Sequence, residues 1–131
     1  MSESSFRDQE IYIYVGRDVE AHVAFKSSHI TLHASQCFGA PEGPQVLRRE
    51  QSFSDSTWDA DACLSDWTIA LRASHSSGRP IKIELASSSR KGHKMVMQCK
   101  TVFKDPQPGD PTAVIDIVLD GLPTYLGTRP H

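Results

Sequence analysis

Two histidines and a glutamate are the first side chains in this sequence that could do chemistry together. The segments that hold them alternate apolar and polar residues, which is typical of β-strands that bury one face. If a tight turn at residues 27–28 joins these strands as a hairpin, His22 lies directly opposite His33, and Glu20 lies on the same face. Two imidazoles and a carboxylate are ligands for zinc or non-haem iron, so the pattern predicts a metal site and, with it, a metal-dependent enzyme. The alternative is a solvated histidine pair on an open sheet face.

A second group of candidate ligands lies in residues 54–66, where four aspartates occur close together. Oxygen donors of this kind suit calcium, but the spacing fails as an EF-hand because Cys63 and Leu64 stand where an acid and a glycine are required. An irregular calcium loop is one interpretation, and ordinary turn and helix-capping aspartates are the other. The segment also predicts a short helix over residues 55–66, with Trp58 and Ala62 on one face. If the segment is an acidic loop, Trp58 is a candidate for an exposed recognition residue.

The most basic stretch is residues 87–94, which should form a hairpin tip. It carries Arg90, Lys91, His93 and Lys94 among several serines. Such a tip could accept phosphate, sulfate or a lipid headgroup, although charged tips also keep β proteins in solution.

Aromatic side chains offer a further surface. Tyr12 and Tyr14 lie on one face of the first predicted strand, where they could stack on a sugar or cover a second buried face. Together with Trp58 and the basic tip, they favour a carbohydrate- or lipid-headgroup-binding protein of lectin-like or cytolysin-like type.

Catalytic motifs are lacking in the sequence: no G-x-S-x-G nucleophile elbow and no H-E-x-x-H occurs. The three cysteines are widely spaced and predict neither a disulfide framework nor a zinc finger; Cys99 alternates with apolar residues and should be a core side chain. A net charge of −2 makes nucleic acid an unfavoured partner. We therefore expect no cofactor apart from the metal alternatives above.

Alternating segments recur along the whole chain, separated by Gly-, Pro- and Ser-containing turns. They predict seven or eight strands in an antiparallel β-sandwich, with a small barrel as the alternative. A flexible polar N-terminus over residues 1–9, one sandwich domain over residues 10–121 and an irregular tail over residues 122–131 complete the expected organisation.

Neither a membrane-spanning run nor a secretory signal can be read from the sequence. We expect a soluble protein that is cytoplasmic or exported by another route. The favoured function is a non-enzymatic module that binds a protein partner through its loops or an exposed sheet face, and a homo-oligomer is compatible with this.

Overall fold

A computed structural model describes residues 10–27, 29–39 and 46–121 of the chain. The nine strands of this part are β1 (Glu10–Tyr14), β2 (Val19–Lys26), β3 (Ile30–Phe38), β4 (Val46–Phe53), β5 (Ser56–Ala60), β6 (Trp67–His75), β7 (Ile81–Lys91), β8 (Lys94–Phe103) and β9 (Ala113–Gly121). The segments predicted as the terminal regions, residues 1–9 and 122–131, lie outside the described residues.

The strands form two antiparallel sheets. The four-stranded sheet has the order β1-β6-β3-β4, and the five-stranded sheet has the order β5-β2-β9-β8-β7. The prediction of an all-β sandwich is confirmed, with nine strands in place of seven or eight. No helix in the described ranges is long and apolar enough to cross a membrane.

The core lies between the sheets and follows from the period-two pattern of the strands. Along β2 every second residue is buried, and the side chains between them are exposed or half-buried. Cys99 belongs to this core, as its alternation with apolar residues predicts, and so does Trp67. Phe25 from one sheet and Phe53 from the other meet edge to face with ring centroids 6.2 Å apart. Each large side chain buried in this layer contributes about 1.5–3 kcal/mol of stability.

The predicted hairpin between β2 and β3 is wrong. β2 pairs with β5 and β9, whereas β3 pairs with β4 and β6 in the other sheet. Both strands do turn their alternating apolar residues inward, because the two inner faces of a sandwich share one core. The alternation shows which side of a strand is buried, but it does not show whether the next strand lies beside it or across the core.

The predicted helix over residues 55–66 is also wrong, because β5 occupies its first half. In β5, Trp58 and Ala60 are buried while Thr57 and Asp59 are exposed. This is the two-residue alternation of a strand. The tight turn before β5 places Asp55 at a φ of 52°, a conformation that aspartate tolerates better than most residues.

At the end of the sandwich where β6 turns into β7, Arg79 joins two loops. Its guanidinium donates two hydrogen bonds of 2.9 Å to the carboxylate of Asp110 and a third to the backbone carbonyl of Asp105. The guanidinium carbon lies 3.8 Å from the centre of the Phe103 ring. The pKa of Asp110 is held below its usual value, chiefly by the hydrogen bond from Arg79 and next by the amide of Gln107. We call this group the arginine bridge.

Candidate functional site

A groove of about 430 Å³ crosses the outer face of the five-stranded sheet. Its polar lining comes from β2, β9, β8 and the segment that begins in β5, and consists of Glu20, His22, Asp59, Asp61, Lys94 and Asp120. Those on strands point outward because they alternate with core residues, and Asp61 follows the end of β5. We call this the acidic groove, since it gathers four carboxylates beside a single lysine.

Strand register determines which charges meet. Glu20 of β2 lies directly opposite Asp120 of β9, and Lys94 of β8 lies opposite Asp120 on its other side. Directly opposed residues have Cβ atoms about 4.5–5.5 Å apart, and like charges at that separation repel. Among the described residues, neither Glu20 nor Asp120 forms an ion pair. The register therefore sets Glu20 against a like charge, while Asp120 has a carboxylate on one side and Lys94 on the other.

The opposite wall of the groove is formed by His22 and Asp59, which are partners across β2 and β5. The Nδ1 atom of His22 forms a short hydrogen bond with the Asp59 carboxylate. Both side chains stay accessible, with exposed fractions of 46% and 74%. This pair fixes the direction of the imidazole without withdrawing the carboxylate from a ligand.

Residues 59–66 form a ridge that bounds the groove and then crosses the end of the sandwich. Backbone groups of this ridge are bound from several parts of the fold. Arg49 and the buried Gln36 donate side-chain hydrogen bonds of 2.6 and 3.2 Å to the carbonyls of Asp59 and Asp61, respectively. The amides of Asp18 and Gly39 donate to the carbonyls of Cys63 and Asp66, respectively, at 2.7 and 2.8 Å. The ridge is thus held in one conformation before any ligand arrives.

On its other side the ridge borders a second depression of about 460 Å³, which we call the apolar recess. It is lined by Phe38, Arg48, Ala62, Cys63, Leu64 and Ser65. The Arg48 guanidinium carbon lies 5.7 Å from the centre of the Phe38 ring. Leu64 is 86% exposed, the largest exposed fraction among the large hydrophobic side chains of the described residues.

The residues predicted as a metal site do not come together. Glu20 and His22 lie in the acidic groove, but His33 is on the four-stranded sheet, where its ring nitrogens meet the hydroxyls of Ser52 and Ser74. The cross-strand pair of His22 and His33 is therefore wrong, for the same reason that the β2–β3 hairpin is wrong. The metal-dependent enzyme inferred from that pair loses its geometric basis.

The four aspartates of residues 54–66 are spread over β5, the turn before it and the ridge after it. Within residues 10–27, 29–39 and 46–121 no cluster of three or more His, Cys, Asp or Glu side chains is arranged to hold a metal ion. Asp59 and Asp61 line the groove, whereas Trp58 and Ala60, which alternate with them, point into the core. The prediction of Trp58 as an exposed recognition residue is wrong, since only 1% of it is exposed.

Tyr12 and Tyr14 are half-buried on the outer face of the four-stranded sheet, opposite Ala70 and Thr68 of β6. The Tyr12 hydroxyl donates a hydrogen bond of 2.6 Å to the carboxylate of Glu10. This face lies on the other side of the molecule from the acidic groove. Carbohydrate stacking on these rings stays a prediction.

The basic residues split between two places. Arg90, Lys91 and His93 are exposed at the tip of the β7–β8 hairpin, whose turn has Gly92 at a φ of 62°. Lys94 follows them on β8 and lines the acidic groove, so its charge faces carboxylates. Binding of an anion by the tip stays a prediction.

Two of the three cysteines, Cys37 and Cys99, are buried away from both depressions. Burial, with a smaller contribution from Asp116, raises the pKa of Cys99 to about 11. Burial, followed by Glu10 and Glu50, also raises the pKa of Cys37. Both thiols are protonated at neutral pH and act as packing groups.

Comparison with known proteins identifies no relative: no family model, no curated protein and no solved structure matches the chain.

Sequence reasoning missed the contributions of Asp120 and Lys94 to a common site with Glu20. The signal for Asp59 and Asp61 was present, because residues 57–61 alternate polar and apolar side chains as a strand does. The signal for Asp120 was absent, since β9 reaches its place beside β2 only after the chain has crossed both sheets.

Proposed function

We propose that this protein is a non-enzymatic binding module whose acidic groove recognises a basic segment of a protein partner. One observation carries the proposal: the groove places Glu20 directly opposite Asp120, and neither forms an ion pair within the described residues. A cation bound between them would remove this repulsion. Departures from favourable local pairing of this kind tend to occur at functional sites.

The shape of the groove supports the same ligand. A volume of about 430 Å³ lies within the range of roughly 300–1,000 Å³ that is usual for ligand sites, and it would admit one or two long side chains. Lysine and arginine have long aliphatic stems that would pack on the half-buried Val118 and on the strand backbone at Ala21 and Ala60 while their charged ends reach the carboxylates. The groove thus offers both parts of such a side chain a matching surface.

Rigid walls favour recognition by lowering its entropic cost. Three of the four carboxylates stand on paired strands, and Asp61 stands on the hydrogen-bonded ridge. Less conformational freedom is lost when a ligand binds such a preformed site. Electrostatic attraction would also speed the encounter with a basic segment.

The test is a binding titration with a labelled peptide of alternating lysine and glycine, followed by fluorescence anisotropy. The double variant Asp59→Asn/Asp120→Asn should weaken binding about tenfold, because it removes two exposed charge contacts. This variant keeps the hydrogen bond that holds the ridge at residue 59, since Arg49 donates it to the backbone carbonyl and not to the side chain.

Matched controls are available on the same sheet face. Asp116 lies four residues from Asp120 on β9, outside the groove, and Glu84 lies on β7. The double variant Asp116→Asn/Glu84→Gln removes the same charge and should leave the affinity unchanged. An equal loss in both double variants, or equal binding of a glutamate–glycine peptide, would refute the proposal.

A further inference from the structure

The apolar recess and the acidic groove share the ridge between them. Asp61 lines the groove, and the next residue, Ala62, lines the recess. Consecutive Cα atoms are about 3.8 Å apart, so the linings of the two depressions meet at this pair of residues. A single extended peptide of a few residues is long enough to occupy both.

We propose that the partner segment is amphipathic, with a basic side chain that enters the acidic groove and a large apolar side chain, such as leucine, that enters the apolar recess. This inference rests on the proposed function and specifies its partner. The two depressions differ in chemistry, and each accepts only one part of such a segment.

The apolar half of the proposal is carried by Leu64 and its surroundings. Leu64 is 86% exposed at the rim of the recess, next to Phe38, Ala62 and Cys63, which supply an apolar lining. Exposing this leucine has a cost in water that contact with an apolar side chain would recover. Main-chain hydrogen bonds to Cys63 and Asp66 on either side keep Leu64 from folding inward.

The orientation of the segment follows from Arg48. Its guanidinium stands over Phe38 in the lining of the recess, so it repels a lysine or arginine side chain there. The four carboxylates of the groove attract the same side chain. A charge that discourages the reversed alignment adds specificity that attraction alone does not provide.

The test compares three synthetic peptides on the full chain by isothermal titration calorimetry. The first contains two lysines spaced by glycine, the second adds a leucine three residues further on, and the third carries the leucine but has glutamine in place of both lysines. The second peptide should bind roughly tenfold more tightly than the first, from the apolar area that the leucine buries. The third should bind much more weakly than either.

The variant Leu64→Ser should remove most of the gain from leucine and leave the affinity for the first peptide unchanged. Its side chain is exposed, so the fold should tolerate the change. Leu85→Ser, at a 52% exposed leucine on β7, is the matched control and should keep the gain.

Equal binding of the first two peptides, or a gain that survives Leu64→Ser, would overturn this inference while leaving the acidic groove as a site for basic segments. If neither of the two lysine-containing peptides binds, the proposed function and this inference are both overturned. Binding of the leucine–glutamine peptide as tightly as the second would show that the recess acts alone, which also contradicts the proposal.

Discussion

Carboxylates stand in opposite environments in two charged regions of this molecule. In the arginine bridge, Asp110 receives two hydrogen bonds from Arg79 and one from the amide of Gln107, so its charge is fully engaged within the fold. In the acidic groove, Glu20 and Asp120 face each other across adjacent strands without an ion pair among the described residues.

This difference in environment suggests different roles for the two groups of carboxylates, one in stability and one in binding. A carboxylate that the fold surrounds with hydrogen-bond donors stabilises the fold, so its replacement should lower the free energy of unfolding. A carboxylate that the fold leaves opposed to a like charge does little for stability, so its replacement should mainly lower the affinity for the basic peptide. The predictions below test this division, beginning with the largest effect.

Replacing Asp110 with asparagine should lower the midpoint of thermal unfolding by several degrees. The variant leaves the Arg79 guanidinium without its bidentate partner and loses the charge-assisted bonds that join the two loops. Circular dichroism melting measures the change, and affinity for the lysine–glycine peptide should stay as in the wild type. Asp105→Asn is the control, because Arg79 binds the backbone carbonyl of Asp105 and not its carboxylate. An Asp110→Asn variant that melts like the control would show that the bridge does not stabilise the fold.

Acidification should narrow the stability difference between the wild type and Asp110→Asn. The pKa of Asp110 is lower in the folded than in the unfolded chain, chiefly because Arg79 donates hydrogen bonds to its charged form. The resulting stabilisation is complete above the unfolded pKa and is lost as the pH falls through the folded pKa, so the change begins below about pH 4. Urea unfolding between pH 7 and pH 2 measures it. A difference that stays constant over this range would contradict the assignment.

Replacing Glu20 with glutamine should have the smallest effect on stability, and of opposite sign. Removing one of two directly opposed like charges should raise the free energy of unfolding by ~0.5 kcal/mol. The same change should weaken the binding of a lysine peptide a few-fold. Urea unfolding and anisotropy on the same preparation measure both. A variant that loses stability would mean that Glu20 belongs to the fold as Asp110 does, and the division would fail.

Much of this fold was predictable, and the site was predictable only in parts. The alternation in β2 and β9 predicts both the strands and their buried faces, because successive side chains of a strand point to opposite sides of the sheet. In β6 the alternation predicts the strand, but five consecutive residues are buried, because the outer face is covered as well. The same alternation misassigned β2 and β3 to one hairpin, since both sheets share an inward face. Glu20 and His22 were recognised as candidates with the wrong companion, His33, in place of Asp59.

Sheet order accounts for the rest. Asp120 and Lys94 reach Glu20 only because β9 lies between β2 and β8, and pairings so distant along the chain leave no local signal. The number of aspartates on the ridge is visible in the sequence, but the direction of Asp59 and Asp61 depends on Trp58 and Ala60, which alternate with them, entering the core.

The most direct test of the central claim is a nuclear magnetic resonance titration of the ¹⁵N-labelled protein with the lysine–glycine peptide. The account predicts saturable shifts confined to amides around Glu20, His22, Asp59, Asp61 and Asp120, with the arginine bridge unmoved. Shifts centred on the arginine bridge or on the Tyr12 face, or no saturable shift at all, would contradict the assignment of the acidic groove as the binding site.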